Sequence, residues 1–172
     1  MTRRPVRARA EDGAAAVEFA LLFPLFLLIV FGVINMGFGF NQKINLTQAA
    51  REASRYGATL SIKASAPGNS GTITTWLQKV TDVAISAGGH DLEASRPNRY
   101  VCVAHVSSTG TVTSQVTGTG GPASSALCFA DGRTDARVQI VVRSQTLVDF
   151  VFWGGAIDVG GESVTHFEAV PT

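Results

Sequence analysis

Charge is scarce in this chain and nearly balanced. Only 16% of its residues are charged, and 14 Lys and Arg against 13 Asp and Glu leave a formal net charge of +1. Such a chain lacks the basic excess that holds a phosphate backbone, so nucleic acid is excluded as a partner. Cysteine is limited to Cys102 and Cys128, neither of them in a CxxC pair. His90, His105 and His166 fall at no ligand-like spacing, which leaves no metal site. GxSxG, Walker A and dinucleotide fingerprints are missing, and Gly118–Pro122 has neither the Lys nor the following helix that a phosphate loop requires. Asn45-Leu46-Thr47 fits a glycosylation sequon, but it sits in an expected helix and is discounted. The chain therefore reads as a non-enzyme with no cofactor.

What it does have is one long apolar run, Gly13 to Phe38, GAAAVEFALLFPLFLLIVFGVINMGF. From Ala14 to Ile34 only Glu18 and Pro24 interrupt it, a length that meets the ~20 residues needed to cross a ~30 Å hydrocarbon core as a helix. A transmembrane helix over about 14–38 is expected. A secretory signal peptide fits less well, because its apolar core is shorter and ends in small residues at the cleavage site, whereas Asn35-Met-Gly-Phe-Gly-Phe40 follows here. Arg3, Arg4, Arg7 and Arg9 precede the run, and after it Lys43 and Arg51 are the nearest cations. The positive-inside bias thus puts the N-terminus in the cytoplasm and the rest of the chain outside. Residues 1–13 form a basic leader, with 1–12 reading as disordered.

An ionisable group in such a run is costly, so Glu18 calls for a positive partner. A cut after Gly13 would create an α-amino group on Ala14, one helical turn from Glu18 on the same face. Pro24 should kink or open the helix locally. The helix is expected to continue past the membrane to residue 60, with Ile44, Ala49, Ala53, Tyr56 and Leu60 as its apolar stripe and Arg51 and Arg55 on the polar side.

These two segments, Gly13-Ala-Ala-Ala-Val-Glu18-Phe19 with its apolar continuation and Ala49-Ala-Arg51-Glu52-Ala-Ser-Arg55-Tyr56-Gly57, resemble the TadE-like family of tight-adherence pilus assembly proteins. The first also resembles the signal cut by prepilin peptidases after the Gly, although Ala14 and Phe19 stand where major pilins of this class carry an aromatic residue and Tyr. The resemblance implies a pseudopilin-like minor or assembly component of a type IV-related adherence pilus, in the inner membrane or in the filament. Gly13, Ala14, Glu18 and Phe19 would serve processing, and Glu18, Pro24, Arg51 and Arg55 would serve assembly contacts. Its implied partners are the membrane, other pilin or pseudopilin subunits, prepilin peptidase and the pilus assembly platform. The alternative is an exported binding domain anchored permanently in the membrane and never built into a filament.

Beyond residue 60 about 110 residues remain, enough for one small domain over 61–172. Ser61–Gly71 reads as a linker. Thr72 or Ser70 can cap an amphipathic helix from Ile73 to about Ala87, ending at Gly88-Gly89. Strands are expected at Arg99–Val106, at Ala136–Gln145 with Arg137, Gln139, Val141 and Arg143 on the open face, and at Asp158–Val170 with a bulge at Gly160-Gly161. Ser107–Ser125 reads as an exposed loop or poorly ordered hairpin tip, and Leu147–Trp153 as a short helix or bend. The exported setting permits a Cys102–Cys128 disulfide, the alternative being two buried thiols. The expected fold is α+β: a long N-terminal helix packed on a second helix and a small antiparallel sheet.

Overall fold

The computed structural model describes residues 8–60, 62, 72–123, 125–150 and 153–167. The start of the leader, most of the linker, Ser70 and the Glu168 end of the last expected strand lie outside the described residues. Helix α1 spans Ala8–Thr59 and α2 spans Ile73–Gly88, followed by a single 3-10 turn at Gly89–Leu92. Strands β1 (Tyr100–Val106), β2 (Val112–Gly118), β3 (Arg137–Phe150) and β4 (Trp153–His166) form one antiparallel sheet in the order β2-β1-β3-β4. This is an α+β fold with both helices on one face of the sheet.

Local chemistry sets the ends of α2. Thr72 Oγ1 accepts the Thr75 amide at 3.2 Å and its carbonyl accepts the Trp76 amide at 2.9 Å, satisfying donors that the first turn would otherwise strand. At the other end Gly89 adopts φ 50°, a conformation open to glycine at no steric cost, and returns its N–H to the Ile85 carbonyl. Between these caps the buried face, Trp76, Leu77, Val80 and Ala84, meets Val101, Val103, Val138, Ile140 and Val142 of the sheet. Trp76 is fully buried, and its indole N–H donates to the Gly57 carbonyl at 3.2 Å.

α1 lies on the same face by a different rule. The stripe that enters the core is Leu46, Ala49, Ala50, Ala53, Gly57 and Ala58, while Ile44 and Tyr56, expected inside, are exposed. Small residues are needed because backbone meets backbone there: a Cβ on Gly161 would stand 2.5 Å from Thr47 Cα and 2.6 Å from the Leu46 carbonyl oxygen. This also corrects the expected bulge. Gly160 and Gly161 pair in register with Arg143 and Val142, and Gly161 serves close approach to the helix. Ser54 Oγ lies 2.7 Å from Ser163 Oγ and accepts from Thr165 Oγ1 at 2.9 Å, so hydroxyls continue the seam above the glycine.

Four other expectations change. Ser107–Ser125 contains β2, whose Val112–Gly118 pairs residue by residue with Val106–Tyr100; an edge strand covered on one side needs few large apolar residues. Leu147–Phe150 is extended chain that continues β3, and Trp153 opens β4 opposite Phe150, so the described part of Leu147–Trp153 is strand and not a short helix; residues 151–152 lie outside the described residues. Residues 8–12 are helical and continuous with the apolar run. Arg137, Gln139 and Val141 are buried, because the segment after β2 folds back over the outer face of the sheet.

Candidate assembly surface

α1 divides into two halves with different surroundings. From Leu46 onward it is core, whereas from Gly13 to Phe40 its large apolar side chains are mostly bare: Phe19 is 64% exposed, Leu21 75% and Phe38 66%. Gly13–Thr59 contains a window with a mean hydropathy of 2.7, none of it buried by the rest of the chain, and is long and apolar enough to cross a membrane. Exposure on all sides is what lipid or other apolar helices would cover. Pro24 lies inside the helix, which runs through it.

The sequence-selected residues fall into two groups. Gly13, Ala14, Glu18 and Phe19 sit together, exposed, on the first turns of the bare half; Phe19 stacks at 5.2 Å on Phe23 one turn further. Arg51 and Arg55 are exposed on the domain half, beside Gln48, Glu52, Tyr56, Thr59 and Val83, and form no ion pair among the described residues. Glu18 and Arg55 are about 55 Å apart at 1.5 Å per helical residue. They can meet only between subunits.

Cys102 and Cys128 are bonded, with Cα atoms 5.7 Å apart. The bridge straps the segment before β3 onto β1, and closing a loop of 26 positions contributes ~3.5 kcal/mol in the chain-entropy account. Under the strap lies a polar cluster that sequence reading did not find. Arg137, 2% exposed, donates Nε to Asp131 Oδ2 at 2.6 Å and Nη2 to Oδ1 at 2.8 Å; Gln139 Nε2 adds a bond of 2.7 Å to the same carboxylate. Burial alone would raise the Asp131 pKa; hydrogen bonds from Gln139, Arg137 and the Arg133 amide, with the Arg137 charge, outweigh it and hold the carboxyl at about 2. The one available signal was Cys128, since a bridge to β1 brings Asp131, three positions on, over the outer face of the sheet.

His105, edge-on to Trp76 and tilted against Phe167, has its pKa lowered by burial and stays neutral near pH 7. Asn45 donates to Asp91 Oδ2 at 2.7 Å and to the Gly88 carbonyl at 3.2 Å, so the sequon asparagine is a tie between α1 and the end of α2. Among the described residues no group of three His, Cys, Asp or Glu could hold a metal ion.

A small α+β domain carried on one bare apolar helix is the build of a protein held to a membrane by its N-terminal segment. The model of the TadE-like protein family matches residues 13–55, from the start of the bare run to Arg55 on the domain half of α1. Over these residues, about a quarter of its length, the chain is similar to the TadE-like protein family. No curated protein and no solved structure matches it.

Proposed function

We propose that this protein is a pseudopilin-like minor or assembly component of a tight-adherence pilus. In this reading α1 holds it in the inner membrane with the leader in the cytoplasm and the α+β domain exported. The observation that carries the reading is the bare apolar half of α1 with Glu18 exposed near its N-terminal end. Removal of the leader by prepilin peptidase after Gly13 would leave an amine on Ala14, one turn from Glu18, able to neutralise that carboxylate within a subunit or across to the next. The span could then leave lipid for a bundle of like helices under the assembly platform without carrying the basic leader through hydrocarbon. Arg51, Arg55 and the outer domain would select neighbours.

The test is N-terminal sequencing with co-purification. Wild type should begin at Ala14, and Glu18→Gln should keep normal membrane levels and processing yet lose at least ~10-fold in recovered pilus partners, the equivalent of 1.4 kcal/mol. Blocking the Gly13 cut should abolish recovery as well. An uncut wild-type protein, or Glu18→Gln binding partners at full strength, would favour a permanently anchored binding domain.

A further inference from the structure

The course of β4 along α1 runs toward the bare half of the helix. Ser163 and Thr165 lie on Ser54, Gly161 lies on Leu46 and Thr47, and Ile157–Gly160 share an apolar crevice with Met36, Gly39, Phe40 and Lys43. Each step down the strand is a step down the helix. β1 pairs with β3 only as far as Arg143, so beyond the buried Ser144–Val159 pair the segments Gln145–Phe150 and Trp153–Asp158 form a two-stranded arm with no further strand beside it among the described residues. Gly154–Asp158 are exposed, Ile157 by 47%, at the level where Met36 and Phe40 are also bare.

Antiparallel chain rises ~3.4 Å per residue, so the Phe150–Trp153 pair lies about 14 Å beyond Ile157 along the arm, the rise of about nine helical residues. That places the end of the arm beside the stretch read as membrane-spanning. Ile157 suits that level, and in sequence the arm is mostly apolar, with Asp149 and Asp158 as its only charges. Depth is limited by hydrogen bonding. Among the described residues the outer edges of the arm have no strand partner, and each unpaired backbone group in hydrocarbon costs several kcal/mol. The arm therefore belongs at the boundary of headgroups and acyl chains, where water persists and Trp is favoured.

We propose that the free arm of the β3–β4 hairpin is a second membrane contact, seated on the lipid surface beside α1 and fixing the tilt of the domain over the bilayer. The surface it extends is the apolar face of α1 itself, and lipid that covers Met36 and Phe40 also reaches Ile157. This inference rests on reading α1 as a span.

The test uses the full chain in nanodiscs of phosphatidylethanolamine and phosphatidylglycerol. Because the described cysteines are both bridged, Leu28→Cys, Ile157→Cys and Ser108→Cys each add one free thiol for a nitroxide. Ser108 is exposed at the opposite end of the sheet. The label at 157 should be at least ~5-fold less accessible to an aqueous nickel chelate than the label at 108, and more accessible than the label at 28. A label at 157 as wet as that at 108, with 28 in lipid, overturns the arm's lipid contact and leaves the span. A wet label at 28 overturns the span and the inference with it. Strong spin–spin broadening at 157 that grows with protein per disc would mean that a second copy covers the arm, and overturns the lipid assignment.

Discussion

Asp131 is the counter-ion of an arginine that water barely reaches. Its folded pKa, about 2, lies below the ~3.9 of an unfolded Asp, so its stabilisation is complete above about pH 5 and is lost progressively as pH falls from there through 2. Asp131→Asn should flatten the pH dependence of thermal unfolding in that window. It should also destabilise by ~3–5 kcal/mol at pH 7, since it leaves the Arg137 charge buried and uncompensated. The double variant Asp131→Leu with Arg137→Met should recover most of that loss, because the desolvation cost goes with the charges. None of this was visible in the strand pattern. Arg137 and Gln139 alternate with Val138 and Ile140 as solvent-facing residues would, and only the cover supplied by a distant loop makes them interior.

Elements were legible wherever one period ran long enough. The apolar run, the amphipathic α2, β1 and the Val138–Val142 part of β3 all follow from spacing, and α2 begins at the Thr72 cap that its sequence proposes. Misreadings came where packing distance or pairing overrides hydrophobicity. β2 owes its form to backbone pairing with β1, and Leu147–Phe150 has no alternation to announce a strand. In α1, Ala49 and Ala53 face inward as expected, yet the helix turns Leu46, Ala50 and Gly57 inward in place of Ile44 and Tyr56, with Gly57 close against Trp76, Val80 and Val138. The contact can be tested at Gly161. Gly161→Ala puts a methyl against the Thr47 backbone and should cost about 1–3 kcal/mol in thermal unfolding of the detergent-solubilised chain. Gly155→Ala in the same strand, with nothing within 4 Å of its new Cβ, should be neutral or slightly stabilising.

At the scale of the whole molecule, α1 is one continuous helix of about 78 Å along its axis, bare over its first half and clamped to the domain at Gly161. A continuous helix transmits phase. Each residue added between the N-terminal half of the apolar run and the clamp turns the domain relative to that half by about 100° around the helix axis and lifts it by about 1.5 Å. If neighbours are chosen by the outer face, the register of the span in a bundle decides which side of the domain each neighbour meets. One Ala inserted between Leu28 and Ile29 should leave membrane retention and domain unfolding unchanged while sharply reducing partner co-purification. Seven inserted residues complete nearly two turns and return the face to within about 20° of its original heading. Recovery after seven but not after one would show that the helix works as an indexing shaft, setting the domain's bearing from inside the membrane.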